Sequence, residues 1–349
     1  MNPIIAIDVG GGTQDILIYQ PGTEMENNTK LILPSPTQII ARRIEKHTHN
    51  GSDIFLYGNL MGGGACSGAV KKHLQAGYRV YATPSAALTF KDNLERVSAM
   101  GIKIVDTNPG EYPAIELKDI DLPALQKALE PFEIKLPNEA AIAVQDHGFS
   151  PHESNRRFRF THWEKFLASG GKLSSLIYDE NTLPDYFTRM KAVLNNCQEM
   201  ADKVWLMDTG SAAIMGALED PQVKEASEKG GIMLVNAGNQ HTIAFLIADN
   251  RVYGVFEHHT GMLSTEKLSK FLSRFAKSEL TNTEVFEDHG HGCEVLPEAQ
   301  NFSFDFIAIT GPRRSLAAPI GFLASPHGDM MLSGSFGLIT SVFNKLEKG

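Results

Sequence analysis

At 349 residues the chain is long enough for two domains with cores of their own. Its 42% hydrophobic and 21% charged residues are ordinary for a soluble globular protein, and a net charge of −9 argues against a general nucleic-acid binder. No apolar run reaches the length of a membrane span, and a strand begins almost at once, which leaves no room for a signal peptide.

The apolar, β-branched runs Ile4–Ile7 and Ile16–Tyr19 read as two buried strands, joined through Asp8-Val-Gly-Gly-Gly-Thr-Gln-Asp15. A hairpin turn needs one or two glycines. Gly10, Gly11 and Gly12 in a row, with Thr13 and Asp15 after them, predict a backbone that something approaches closely. Successive free N–H groups in such a turn form an anion nest, and an adjacent carboxylate can hold the cation that accompanies phosphate. A strand over 30–33, a helix over 36–49 and a strand over 53–57 follow. The glycine-rich run 58–68 then enters a helix over 69–76, either as an anion site or as a flexible connection. A strand over 78–82, a helix over 86–100 and a strand over 102–105 continue an α/β alternation. After a helix over 122–129, the buried strand Ala140–Val144 ends in Gln145-Asp146-His147-Gly148. Open α/β sheets place ligands at such strand ends, and His147 after Asp146 is a candidate acid–base residue. Residues 149–201 are more polar and read as a helical insert. A strand over 204–207 then turns at Asp208 into a helix, and 219–229 reads as a linker.

The second half repeats the logic of the first. Residues 231–247 are again strand, glycine-containing turn and strand. Aligning Asp8 and Gly10 with Asn236 and Gly238 puts Thr13 at His241, with Asn239 inside the turn and Thr242 just after it. A strand over 251–257, an amphipathic helix over 264–280, a strand over 304–309 that exits through Gly311, and a helix over 330–343 complete the chain. Between them, Glu287-Asp-His-Gly-His-Gly-Cys293 packs carboxylates, imidazoles and a thiol into seven residues. Alternation along an extended segment would turn His289, His291 and Cys293 to one side, a ligand set suited to zinc or iron; the alternatives are a substrate-binding or catalytic loop and a plain turn. The basic spots Arg42-Arg43, Arg156-Arg157-Phe158-Arg159 and Arg313-Arg314 are short and read as solvated faces. The three widely separated cysteines fit a reducing cytoplasm with no disulfide framework.

These residues carry a family resemblance. Asp8 through Asp15 resembles the first phosphate motif of the actin, sugar-kinase and heat-shock-chaperone ATPase superfamily. Asp208–Ala213 with Gly216 is similar to its first connecting helix, and Asn236–Thr242 to its second phosphate hairpin. Phe306–Gly311 resembles its adenosine-contacting strand and loop, and Ser333–Gly337 its second connecting helix. More narrowly, the chain is similar to a small family labelled pyruvate formate-lyase-activating-like. The resemblance implies a two-domain, actin-like α/β fold of duplicated ribonuclease-H-like units. The expected division is residues 1–205 with the helical insert, then 206–349, the last helix either staying there or returning to the first domain. It further implies ATP with Mg²⁺ in the intervening cleft. Asp8, Asp146, His147 and Asp208 would carry chemistry. Gly10, Gly11, Gly12, Thr13, Asp15, Asn236, Gly238, Asn239, Thr242 and Gly311 would hold the nucleotide, and Asp8 the cation. The superfamily often has aspartate where this chain has Asn236, an amide without the full charge, so binding is expected to outlast rapid hydrolysis. The readings left open are a kinase or slow ATPase acting on an unidentified small molecule, a nucleotide-dependent regulator of a protein partner, and a metal-dependent enzyme using the histidine loop. Radical activation would need clustered cysteines, which the chain lacks.

Overall fold

The computed structural model describes residues 2–347. Strands β1 (Ile4–Val9) and β2 (Thr13–Tyr19) form the expected hairpin, and β3 (Thr29–Pro34) extends it antiparallel. Helix α1 (Pro36–His49) begins at a proline, whose missing N–H costs nothing in a first turn. Next come β4 (Ile54–Gly58), α2 (Gly64–Gln75) and β5 (Val80–Ala82). The single helix expected over 86–100 is two, α3 (Pro84–Ala87) and α4 (Leu94–Ala99). Asn93 starts the second by accepting from the Glu95 and Arg96 N–H groups at 2.7 and 3.2 Å. With β6 (Ile102–Ile104) and β7 (Ala114–Leu117), the strands of this region build a four-stranded parallel sheet, ordered β6-β5-β4-β7, over a core of its own that includes Ile44, Leu56, Val70 and Leu117.

Helix α5 (Leu122–Leu129) leads into β8 (Glu139–Val144), followed by α6 (Asn155–Ala168), β9 (Ile177–Tyr178), α7 (Thr188–Cys197), β10 (Lys203–Asp208) and α8 (Thr209–Ala217). The stretch read as a linker is largely helix α9 (Pro221–Lys229). Its polar sequence buries only Val223, yet Asp220 caps it and Pro221 opens it, so local signals hold it where a hydrophobic face does not. The second half contains β11 (Ile232–Ala237), β12 (His241–Ala248), β13 (Arg251–His259), α10 (Thr265–Ala276), α11 (Asn282–Glu287), β14 (Gly292–Val295), β15 (Phe306–Thr310), β16 (Phe322–Leu323) and α12 (Ser333–Leu346).

The strand orders establish the duplication. The first large sheet runs β3-β2-β1-β8-β10-β9 and the second β14-β13-β12-β11-β15-β16. Each contains three consecutive antiparallel strands, β3-β2-β1 and β13-β12-β11. Each then adds two parallel to the first-formed strand, β8-β10 and β15-β16. This is the ribonuclease-H-like unit built twice, the mixed α/β, actin-like architecture that the motifs imply. One continuous core joins the sheets, with Leu17 and Trp205 from the first and Leu234 and Phe245 from the second closing around α8 and α12. The two helices cross where a Cβ on Gly216 would lie 1.7 Å from the Ser333 carbonyl oxygen, and one on Gly337 would lie 1.9 Å from that of Ala212. Helix α12 also packs against β1, β2 and β8. Among the described residues, no helix is long and apolar enough to cross a membrane.

Candidate functional site

The two hairpins are alike down to the turn. In the first, the Gly10 N–H donates to the Thr13 carbonyl at 2.9 Å; in the second, the Gly238 N–H donates to the His241 carbonyl at 2.9 Å. The tips meet. A Cβ on Gly11 would lie 2.8 Å from the Gln240 amide and one on Gly12 2.7 Å from that of Asn239, so it is the second hairpin that approaches the triple glycine. Thr242 does not face the cleft. It is fully buried and donates to Thr260, whose own hydroxyl donates to the Gly238 carbonyl, so the pair props the turn from behind. Gly311, at φ 97°, backs onto Asn236, leaving no room for a Cβ beside that amide oxygen.

A cavity of about 330 Å³ opens beside the tips. Gly10, Gly11, Asn236, Gly238 and Asn239 line it, as do Asp146, His147 and Asp208; Gly63 and Gly64 bring the N-terminus of α2 to its wall. Asp8 and Asp15 stand elsewhere. They are directly paired across the hairpin and buried toward α12, where Asp8 accepts from the Thr209 hydroxyl at 2.5 Å and sits against Gly334. Thr13 donates to Asp15 at 3.4 Å. Burial, reinforced by the charges of Asp15 and Asp208, pushes the Asp8 carboxyl up to about 8, against the Thr209 bond. Burial likewise pushes Asp15 up to about 7, with Asp329 adding to the shift and Thr13 opposing it.

A pH dependence follows. Between the unfolded value of 3.8 and about 7, the folded protein holds a proton on Asp15 that the unfolded chain releases, so stability falls as pH rises through that window. Asp15→Asn is expected to remove this decline, worth at most about 4 kcal/mol. The check is a set of urea midpoints from pH 4 to 8 for both proteins. Their difference cancels what the buried neutral histidines contribute in both proteins and leaves Asp15 together with its effect on the neighbouring Asp8. A difference that does not change with pH would refute the assignment.

Asp146 and Asp208, expected as catalytic, have their carboxylates engaged. Asp146 accepts from the backbone N–H groups of Gly148, Arg189 and Met190 at 2.8–3.0 Å, anchoring the start of α7. Asp208 caps α8 through Gly210 and Ser211 and binds Arg159 at 2.9 and 3.2 Å. Arg159 corrects the reading of its basic run as a solvated face: it is 3% exposed. It also donates to Glu257 at 2.5 Å and to the Asp146 carbonyl at 3.1 Å. Burial alone would raise the Glu257 carboxyl, but Arg159 and the adjacent histidines hold it well below its ordinary range.

Around Glu257 the chain gathers His147 from the end of β8, His241 from the second hairpin and His291 from before β14. One ligand-capable atom from each of these four residues lies within 4.8 Å of all the others. His147 and His291 face each other through their Nε2 atoms at 3.1 Å, and His241 Nδ1 is 2.9 Å from Glu257 Oε1. Gln145 reaches both His241 and Glu257, the latter at 3.1 Å. The His259 ring lies 4.6 Å from that of His291. Burial keeps His147 far below its ordinary value and brings His291 down to about 3, so both are neutral at pH 7.

The histidine loop itself comes apart. Asp288 is tied to His258 at 2.9 Å and to Lys267; His289 is exposed at φ 66°; His291 enters the cluster; and Cys293 is buried, its thiol 3.6 Å from the Leu280 carbonyl. His289, His291 and Cys293 therefore do not converge as one ligand set. Arg159, Glu257 and Gln145 carried no spacing signal, and His241 only its alignment with Thr13.

The sequence profile of the family described as "Putative pyruvate format-lyase activating enzyme (DUF1786)" matches residues 61–316, well over half of the chain. The chain belongs to that family. A comparison with curated proteins finds no match. Solved structures similar to it include a Bacteroides thetaiotaomicron protein with actin-like ATPase fold and unknown function, at 9% identity over 97% of this chain and 96% of that one, with a TM-score of 0.35. Others are the ROK hexokinase of Thermus thermophilus, at 11% identity, 99% and 100% coverage and a TM-score of 0.32, and ADP-bound MreB5 of Spiroplasma citri, at 9%, 100% and 99%, and 0.34. At such scores the fold rests on the strand orders described above.

The family description implies radical activation, whose iron–sulfur cluster takes cysteine ligands. Cys66, Cys197 and Cys293 lie in three different apolar cores, and burial pushes all three thiols up, Cys66 to about 11 and Cys197 to about 12. They do not fit a shared cluster.

Proposed function

We propose that this protein binds a nucleoside triphosphate with a divalent cation between its two hairpins, as a slow ATPase or kinase-like phosphotransferase. The observation that carries the reading is the pair of like turns, Gly10–Thr13 and Gly238–His241, meeting tip to tip at the edge of one cavity. Their backbone N–H groups, with the N-terminus of α2 on the same wall, favour a polyanion there. Asn239 and Gln240 fill the gap between the tips, so the phosphates enter when these side chains withdraw and the two halves part. A cation at the phosphates would draw on Asp8 once that buried carboxyl parts from Thr209 and gives up its proton, while Asn236 at the matching position would supply an amide oxygen and no charge. Weak cation attraction on that side makes turnover slow.

Thermal melts with ATP and ADP, each with and without Mg²⁺, test this. At a hundred times its dissociation constant, a nucleotide stabilises the folded state by about 2.7 kcal/mol, which raises Tm measurably. Unchanged melting at millimolar nucleotide would contradict the reading. Binding without turnover, even after long incubation, would instead favour a regulator in which cleft closure is the output.

A further inference from the structure

We propose that His147, His241, Glu257 and His291 form a binding site for one divalent first-row transition-metal ion at the inner end of the cleft. The four donors come from four separate segments, the loop after β8, strands β12 and β13 and the turn before β14, drawn from both halves of the duplicated fold, and converge within 4.8 Å. In a tetrahedral site with metal–nitrogen bonds near 2.0 Å, donor atoms stand roughly 3.3 Å apart, so the cluster needs adjustments of about an ångström or less. Three imidazoles and one carboxylate select zinc, iron or a neighbouring ion over magnesium, which prefers an all-oxygen shell.

Two features argue that the cluster is built for a cation. First, His291 is 1% exposed and its Nδ1 has no hydrogen-bond partner, while its Nε2 faces the Nε2 of His147 at 3.1 Å. In either neutral tautomer the buried Nδ1 of His291 is left unsatisfied, a cost that an ion bound at that nitrogen would remove. Second, Glu257 is held from outside. Arg159 takes its Oε2 at 2.5 Å and Gln145 approaches its Oε1 at 3.1 Å, so the carboxylate is fixed in the manner of an oriented metal ligand. Asp208 on the far side of Arg159 balances that cation, leaving Glu257 to offset the metal.

His147, His241 and Glu257 line the cavity, whereas His291 lies outside its lining. A bound ion would therefore have the cleft on one side, where an oxygen of the ligand would join the four protein donors as a fifth. Because His241 ends the turn of the second hairpin, that oxygen would lie beside the phosphate-gripping backbone, and the chemistry the metal would supply there is that of a Lewis acid.

The test uses the full chain, stripped with a chelator and dialysed against Co²⁺ or Zn²⁺ with no nucleotide present. The expected result is one ion per chain. The cobalt form should show visible d–d bands of a nitrogen–oxygen site and no thiolate charge-transfer band, which separates this set from one that uses Cys293. His147→Ala and His291→Ala should each weaken binding about tenfold or more, while His289→Ala, outside the cluster, leaves it unchanged. Circular dichroism checks that each variant folds, and the cobalt spectrum of the unaltered protein decides the matter if none does. Substoichiometric metal, a thiolate band, or full affinity in a folded His147→Ala/His291→Ala double variant would overturn the proposal. Because these readings need no nucleotide, they stand or fall separately from nucleotide binding.

Discussion

Gly337→Ala is expected to destabilise the protein by about 3 kcal/mol or more, although alanine is the better helix former by up to about 1 kcal/mol. The steric term decides the sign. The added methyl would sit 1.9 Å from the Ala212 carbonyl oxygen and 2.5 Å from the Gly216 nitrogen, both backbone atoms of α8 that cannot swing aside. The helices would have to separate, and α8 and α12 are the elements on which both sheets close. The damage reaches the first hairpin, since Thr209 at the start of α8 and Gly334 near the start of α12 both press on Asp8. Gly68→Ala provides the control. It lies in helix α2, is exposed and has nothing within 4 Å of its Cβ position, so there the propensity term acts alone and stabilises by about 0.5–1 kcal/mol. Urea denaturation of both variants measures the contrast. Equal effects would mean that the helix crossing is looser than described.

Arg159→Met is expected to cost about 3–5 kcal/mol at pH 7, because it strands two buried carboxylates, Asp208 and Glu257, without their shared cation. A deficit that arises from unpaired charge must shrink on acidification, since protonating either carboxyl leaves one stranded charge in place of two. The same melts at pH 5 should therefore show a smaller gap between variant and parent. A gap that stays constant with pH would assign the loss to packing against Trp163 instead.

Much of the frame was legible because it is written locally. The runs Ile4–Ile7 and Ile16–Tyr19, the repeated turn at Gly238, and Pro36 at a helix start each signal themselves within a few residues. Where local and tertiary signals differ, the reading failed in identifiable ways. Residues 219–229 lack an apolar face, yet Asp220 and Pro221 start a helix there. The short strands β7 and β14 are fixed by neighbours far away in sequence.

The site was less legible for the same reason. Four ligand-capable residues spread from 147 to 291 carry no spacing rule, and the seven-residue loop that looked like a ligand set sends His289 outward and Cys293 into the core. The arginine run shows how composition misleads: nothing in Arg156-Arg157-Phe158-Arg159 marks its last member as buried, because its partners Asp208 and Glu257 lie 49 and 98 residues away.

An experimental structure of the protein with a non-hydrolysable ATP analogue and Mg²⁺ bears most directly on the cleft. The expected result places the phosphates between Gly10–Gly12 and Gly238–Gln240, contacted by backbone N–H groups, with the Asn239 and Gln240 side chains moved off Gly12 and Gly11. Nucleotide bound elsewhere on the molecule, or hairpin tips still in contact at millimolar analogue, would contradict it.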